Sequence, residues 1–112
     1  MNRLATENLK PVGVAAKRLG HTEIVDLLQH LPSWRLVATD DVERLEKIFE
    51  FKNFADALAF TVQVGRLADE VDHHPTILTA WGKTTVTWWT HSLQGLHRND
   101  FIMAAKTEAL YA

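Results

Sequence analysis

Asn53-Phe54-Ala55-Asp56-Ala57-Leu58-Ala59-Phe60-Thr61-Val62-Gln63-Val64-Gly65-Arg66-Leu67-Ala68-Asp69-Glu70-Val71-Asp72-His73-His74-Pro75 is the stretch that decides the fold, because both ends of a long helix are written in it. Asn53 is placed to cap the helix, with Asp56 three positions on in a capping-box relation. Phe54, Leu58, Thr61, Val64, Leu67, Ala68 and Val71 recur at helical spacing, and Ala55, Ala59 and Val62 form a second apolar set. A helix apolar on two faces packs one against its own sheet and offers the other to a partner chain. Pro75 disfavours helical geometry at His74, so the helix must finish near Asp72 or His73.

Working outward, the flanking segments alternate. Upstream, Thr22 is a plausible cap for a helix whose stripe is Ile24, Val25, Leu27, Leu28 and Leu31, stopped by Pro32. Residues 34–38 read as a short strand and Thr39-Asp40-Asp41 as a turn. Residues 44–52 form its hairpin partner, with Leu45, Phe49 and Phe51 on the buried face. Downstream, residues 77–80 and 84–91 read as strands joined around Gly82-Lys83, with Val86 and Trp88 facing one way and Thr85, Thr87, Trp89 and His91 the other. Asn99 or Asp100 then caps a last helix through Met103, Ala104, Thr107, Leu110 and Tyr111. The expected fold class is α+β, two layers, with a four-stranded antiparallel sheet and three helices on one face in the order αββαββα.

The length, 112 residues and 12.7 kDa, allows one domain, expected over residues 21–112 behind an N-terminal extension at 1–20. Arg3, Lys10, Lys17 and Arg18 stand in that extension against the single acid Glu7, with Pro11 and Gly13 as punctuation. A transit peptide is one reading of it, and a frayed or helical extension is the preferred one. A formal charge of −2 and a pI near 6.3 argue against direct nucleic-acid or anionic-membrane binding. The chain has no cysteine, which excludes disulfides, thiolate nucleophiles and Cys-type zinc sites. No apolar run is long enough to span a bilayer, and a cytoplasmic location is expected. Six histidines stand out, four of them (His73, His74, His91 and His97) within one 25-residue stretch.

Asp69, Asp72, His73 and His74 make the densest polar cluster of the long helix, and Asp69 and His73 share a face at four-residue spacing, so that the carboxylate can fix the imidazole's tautomer. His91 ends the last strand beside Trp89, whose flat ring can stack on a ligand or fill an interface. Two chemistries fit. A three-ligand metal site would use His73, His91 and Asp69 or Asp72, although the spacing carries no metal signature. A metal-free acid/base site uses the imidazoles as they stand. His21, His30 and His97 read as surface or helix-end residues, and Trp34, Trp81 and Trp88 as core.

Asp69-x-x-x-His73-His74-Pro75, Trp81, Thr90-His91, Gly95-Leu96 and Asp100, with Leu31-Pro32-x-Trp34 and Phe49-x-Phe51-x-x-Phe54 upstream, closely resemble the pterin-4a-carbinolamine dehydratases from about Gly20 to Tyr111. The resemblance implies a metal-independent lyase without a cofactor, the pterin being its substrate. It makes His73, His74 and His91 the catalytic histidines, with Asp69, Asp72, Trp34 and Asp100 lining or supporting the pocket. Trp89 joins this substrate-binding set from the strand pattern. It also implies homodimers made by extending the sheet, or homotetramers packed through the long helices, and a role in recycling the tetrahydropterin of aromatic amino-acid hydroxylases. In animals the family doubles as a dimerisation cofactor of a transcription factor, so a non-enzymatic module is the alternative. Trp81-Gly82 stands where the family more often has Tyr-Asn, a change expected to affect the turn at the pocket rim.

Overall fold

The structure is a computed structural model describing residues 2–111. Its first helix, α1 (His21–Leu28), is capped at Gly20, two residues before the expected cap at Thr22. Gly20 holds the cap position because the Glu23 carboxylate reaches back to its N–H at 3.2 Å. Ile24 is the fully buried anchor of this helix, and Val25, expected in the stripe, is exposed. Strands β1 (Arg35–Thr39) and β2 (Val42–Glu50) are joined by the two-residue turn Asp40-Asp41, with φ of 52° and 63°. Positive φ at both turn positions matches the twist of a tight hairpin, and Asp tolerates that conformation.

Helix α2 (Phe54–Val71) begins where the sequence places it, the Asn53 side chain accepting from the Asp56 N–H at 2.7 Å. Strands β3 (Thr76–Ala80) and β4 (Lys83–Trp88) follow, and α3 (Arg98–Leu110) closes the chain. The expected element order and α+β class hold, and every sheet pairing is antiparallel in the order β1-β2-β4-β3. The register sets Leu45 opposite Trp88 and Phe49 opposite Thr84, so the inner face is a row of fully buried side chains. Trp81-Gly82 sits at the end of β4 away from His91 and lines no part of the cavity described below, contrary to the expected rim position. Gly82 has φ of 76°, a conformation that favours glycine.

Two departures bear on function. Helix α3 is buried almost all round, from Asn99 to Ala105 and again at Thr107, rather than along one stripe. It lies between the sheet, where the Trp88 indole donates to Thr107 Oγ1 at 3.1 Å, and the N-terminal segment, where Lys106 Nζ donates to the Ala5 carbonyl at 2.8 Å. That segment is therefore neither frayed nor a regular helix. It makes one 3-10 turn at Arg3–Thr6, buries Leu4 in the core, and runs on as an extended arm. No helix among the described residues is long and apolar enough to cross a membrane.

Candidate active site

Helix α2 stops at Asp72, which adopts the left-handed conformation (φ 52°, ψ 44°) and turns its N–H onto the Ala68 and Asp69 carbonyls. That reversal decides where the two histidines go. Asp69 and His73 would share a face only if the helix continued, and the left-handed residue between them ends it. His73 swings toward α3, and its Nε2 meets Asp100 Oδ1 at 2.7 Å while its ring stacks over Trp88 at 5.7 Å and 9°. It is His74 that returns to Asp69, Nε2 to Oδ1 at 2.9 Å, which corrects the Asp69–His73 pairing expected from the spacing.

Asp100 is fully buried and is the organising anion of the site. Its Oδ2 accepts from Thr90 Oγ1 at 2.7 Å and from the His97 N–H at 2.9 Å, and its Oδ1 faces His73. A carboxylate in this place accepts from every neighbour, so the shared proton belongs on His73 Nε2 and the lone pair on Nδ1. His91 lies on a 3-10 turn at His91–Leu93 just past β4. Its ring is stacked on Trp89 at 4.4 Å and 9°, and among the described residues its two nitrogens carry no hydrogen bond.

A cavity of about 500 Å³ opens where these pieces meet, and His73, His74, His91, Asp72, Thr90 and Asn99 are on its wall. The Asp69 carboxylate stands behind His74, and Asp100 behind His73. Two expected members are elsewhere. Trp89 is buried with its face against His91 and the Arg44 guanidinium, 4.0 Å from the ring centroid, so it supports His91 instead of presenting a free stacking surface. Trp34 points inward with the core, edge-on to Phe49 at 5.8 Å. Its indole N–H finds Glu108 Oε1 at 3.0 Å, beside Lys47 Nζ at 2.7 Å from the same carboxylate. An indole buried against a sheet needs a partner for its N–H, and Glu108 supplies it. No group of three or more His, Asp or Glu side chains among the described residues is placed to hold a metal ion, so the donors of the three-ligand alternative do not converge.

Sequence reasoning missed three parts of this site. Leu9, Lys10, Pro11 and Val12 of the arm line the cavity, as does Ser92. Asn99 is buried as a clamp on the arm rather than a cap. The cap of α3 is His97, whose Nδ1 accepts from the Asn99 N–H at 3.0 Å. Burial holds the His97 imidazole below the ordinary histidine value, against the opposing pull of Asp100. A ring nitrogen that must accept cannot carry a proton, so the cap works only in the neutral form.

Because the folded pKa lies below the unfolded one, this stabilisation is complete above about pH 6.5 and fades as the pH falls toward the depressed value. Thermal melts from pH 7.5 to 5 should therefore show a falling midpoint, with the cap contributing about 1 kcal/mol. His97→Asn keeps an acceptor without a titrating ring and should flatten part of that slope. Equal slopes in both proteins would refute the role given to His97.

Residues 17–110 match the family described as pterin 4 alpha carbinolamine dehydratase. A Nitrosococcus oceani protein named as a candidate pterin-4-alpha-carbinolamine dehydratase is 48% identical over 110 residues, covering 98% of this chain and 97% of its own. Among solved structures, a transcriptional coactivator/pterin dehydratase from Brucella melitensis superposes with a TM-score of 0.78 at 34% identity, over 86% of this chain and all of that one. A pterin dehydratase-like protein described as a RuBisCO assembly factor of the alpha-carboxysome superposes with a TM-score of 0.60 at 26% identity, over 71% of this chain and 90% of its own.

Proposed function

The chain belongs to the pterin 4 alpha carbinolamine dehydratase family of lyases, and from that premise we propose that its cavity dehydrates a 4a-hydroxytetrahydropterin by histidine acid/base catalysis. The observation that carries the reading is the meeting of His73, His74 and His91 on one cavity wall, from two separate parts of the chain. The reaction removes the proton on ring nitrogen N5 and the hydroxyl on C4a, forms the N5=C4a double bond and releases water. It changes no oxidation state, so one base, one acid and a fixed substrate suffice.

His73 and His91 are the proton-transfer pair. His73 is the more rigid, held by Asp100 in the tautomer that leaves Nδ1 free to take a proton. His91 has both nitrogens at liberty and its ring plane fixed by Trp89, which suits a group that delivers a proton to the leaving hydroxyl. His74, steadied by Asp69, orients the pterin near that hydroxyl. Asp72 lines the same wall beside the pair. The pterin is substrate, and no metal or further cofactor enters the scheme.

The product is a quinonoid dihydropterin, so the enzyme serves the recycling of a tetrahydropterin used by an aromatic amino-acid hydroxylase, in the cytoplasm, where cell fractionation should find it. With hydroxylase and pterin reductase in excess and tetrahydropterin limiting, adding this chain should raise the steady rate of pterin turnover several-fold. No change would leave the non-enzymatic module as the better account. That second reading has support in the coactivator and assembly-factor descriptions of two structural neighbours, but a docking module has no need of three histidines around a cavity.

The assembly is a homodimer or homotetramer in this reading. Phe54, Leu58 and Val62, spaced four apart on α2, are 44%, 45% and 44% exposed, and the edge strand β3 leaves Leu78 63% exposed. An apolar stripe of that kind marks a protein–protein contact. Sedimentation should return the mass of two or four chains, and a monomer at micromolar concentration would contradict it.

A further inference from the structure

The cavity has two chemically different walls, built by different parts of the chain. One wall is mainly polar: Asp72, His73 and His74 follow Val71 at the end of α2, with Thr90, His91 and Ser92 past β4. The other is the N-terminal arm, which presents the apolar Leu9, Pro11 and Val12 with the exposed Lys10 among them, all four before the span that matches the family, residues 17–110. The arm is fixed at both ends. On its near side Leu4 is buried, Glu7 takes two hydrogen bonds from Arg98 at 2.9 and 2.6 Å, and Asn99 clamps the main chain of Lys10 in both directions at 2.9 and 2.7 Å. On its far side the Leu19 N–H donates to the Leu96 carbonyl at 2.8 Å, and Arg18 Nη1 reaches the Gln94 carbonyl at 3.2 Å.

Asn99 is 3% exposed and spends its whole amide on this clamp. A buried amide paired with a main chain 89 residues away holds a segment in one place. What it holds is a mainly apolar surface, Leu9, Pro11 and Val12 on either side of Lys10, set opposite the polar wall. A flat heterocycle needs both, polar groups at its edge and apolar atoms against its ring and substituents.

From these observations we infer that the N-terminal arm is the substrate-retaining and specificity-determining wall of the site. Leu9, Pro11 and Val12 contact the pterin away from the C4a–N5 edge, and so sort pterins by the substituent they carry. This rests on the dehydratase reading. The arm touches no reacting atom, so its residues act on binding and leave the chemical step alone.

The test is the double variant Leu9→Ser/Val12→Ser, which keeps Leu4, the Glu7–Arg98 pair and the Asn99 clamp. Its KM for the carbinolamine should rise about tenfold or more, as expected for losing two half-buried apolar side-chain contacts, with kcat within about twofold. The Kd of a non-reacting, fully oxidised pterin, read by fluorescence, should rise in parallel. Should that variant fold poorly, Val12→Phe keeps the wall apolar but narrows the cavity. It should then penalise a pterin with a long C6 substituent several-fold more than one with a methyl group. Unchanged KM and Kd in a well-folded serine variant, a loss confined to kcat, or an unchanged substrate ratio in Val12→Phe would each overturn the inference. Wild-type protein that neither turns over the carbinolamine nor binds the oxidised pterin would instead overturn the dehydratase reading itself.

Discussion

Replacing His73 and His91 together by alanine is expected to return carbinolamine dehydration to its spontaneous rate while the chain stays folded. General acid/base catalysis by one placed side chain contributes about 10²–10⁴-fold, so each single variant should lose at least two orders of magnitude. The fold should survive because neither ring is a core anchor. His91 is exposed on its 3-10 turn, and the His73 side chain keeps 14% of its surface in solvent. The alanine at 73 does leave Asp100 Oδ1 without its imidazole partner. Thr90 and the His97 N–H still serve the other oxygen, which limits the cost to roughly 1–3 kcal/mol. Circular dichroism and a melt beside the assay separate the two effects. A double variant that keeps wild-type turnover would remove both histidines from the mechanism.

Asp100 should show the opposite coupling, a loss of stability and activity together. It is fully buried and gathers donors from Thr90, His97 and His73, so Asp100→Ala strands three polar groups at once. Leaving a buried donor without its acceptor costs about 1–3 kcal/mol, so three together take a large share of the roughly 5–15 kcal/mol of a domain. The alanine variant is therefore expected to melt far lower or to fail to accumulate. Asp100→Asn is the informative companion. It keeps the volume and an acceptor for Thr90 and the His97 N–H, but turns an amide N–H toward His73. His73 must then accept at Nε2, and the lone pair leaves Nδ1. Turnover should fall by on the order of 100-fold with a much smaller drop in melting temperature. Wild-type kcat in a folded Asp100→Asn would show that the tautomer of His73 does not matter.

How far the sequence reaches is plain from particular residues. Asn53, Pro75 and the two apolar sets between them placed α2 to within a residue of its observed ends, because capping and the proline clash are local. The three histidines were legible for another reason, since their spacing together with the proline resembled a known pattern. The partners of those histidines were not legible. Spacing paired Asp69 with His73, yet a single left-handed residue at Asp72 moved His73 to Asp100 and His74 to Asp69, and a residue other than glycine in that conformation leaves little trace in a sequence. Trp34 is core, as its residue type suggested, and only the resemblance had set it at the pocket; Trp89 is buried against His91 and Arg44 because alternation says which face a side chain takes, not what fills the space on that face. The arm was invisible altogether. Its contacts join Asn99 to the main chain of Lys10 and Glu7 to Arg98 across some ninety residues, and periodicity does not report contacts between residues so far apart in sequence.

The most direct measurement is the decay of a freshly generated 4a-hydroxytetrahydropterin, followed by its ultraviolet absorbance in a stopped-flow cell. Catalytic amounts of this chain should speed that decay in proportion to enzyme, saturate with substrate, and do so equally after exhaustive chelation. A decay rate unchanged by folded protein at any concentration would contradict the account.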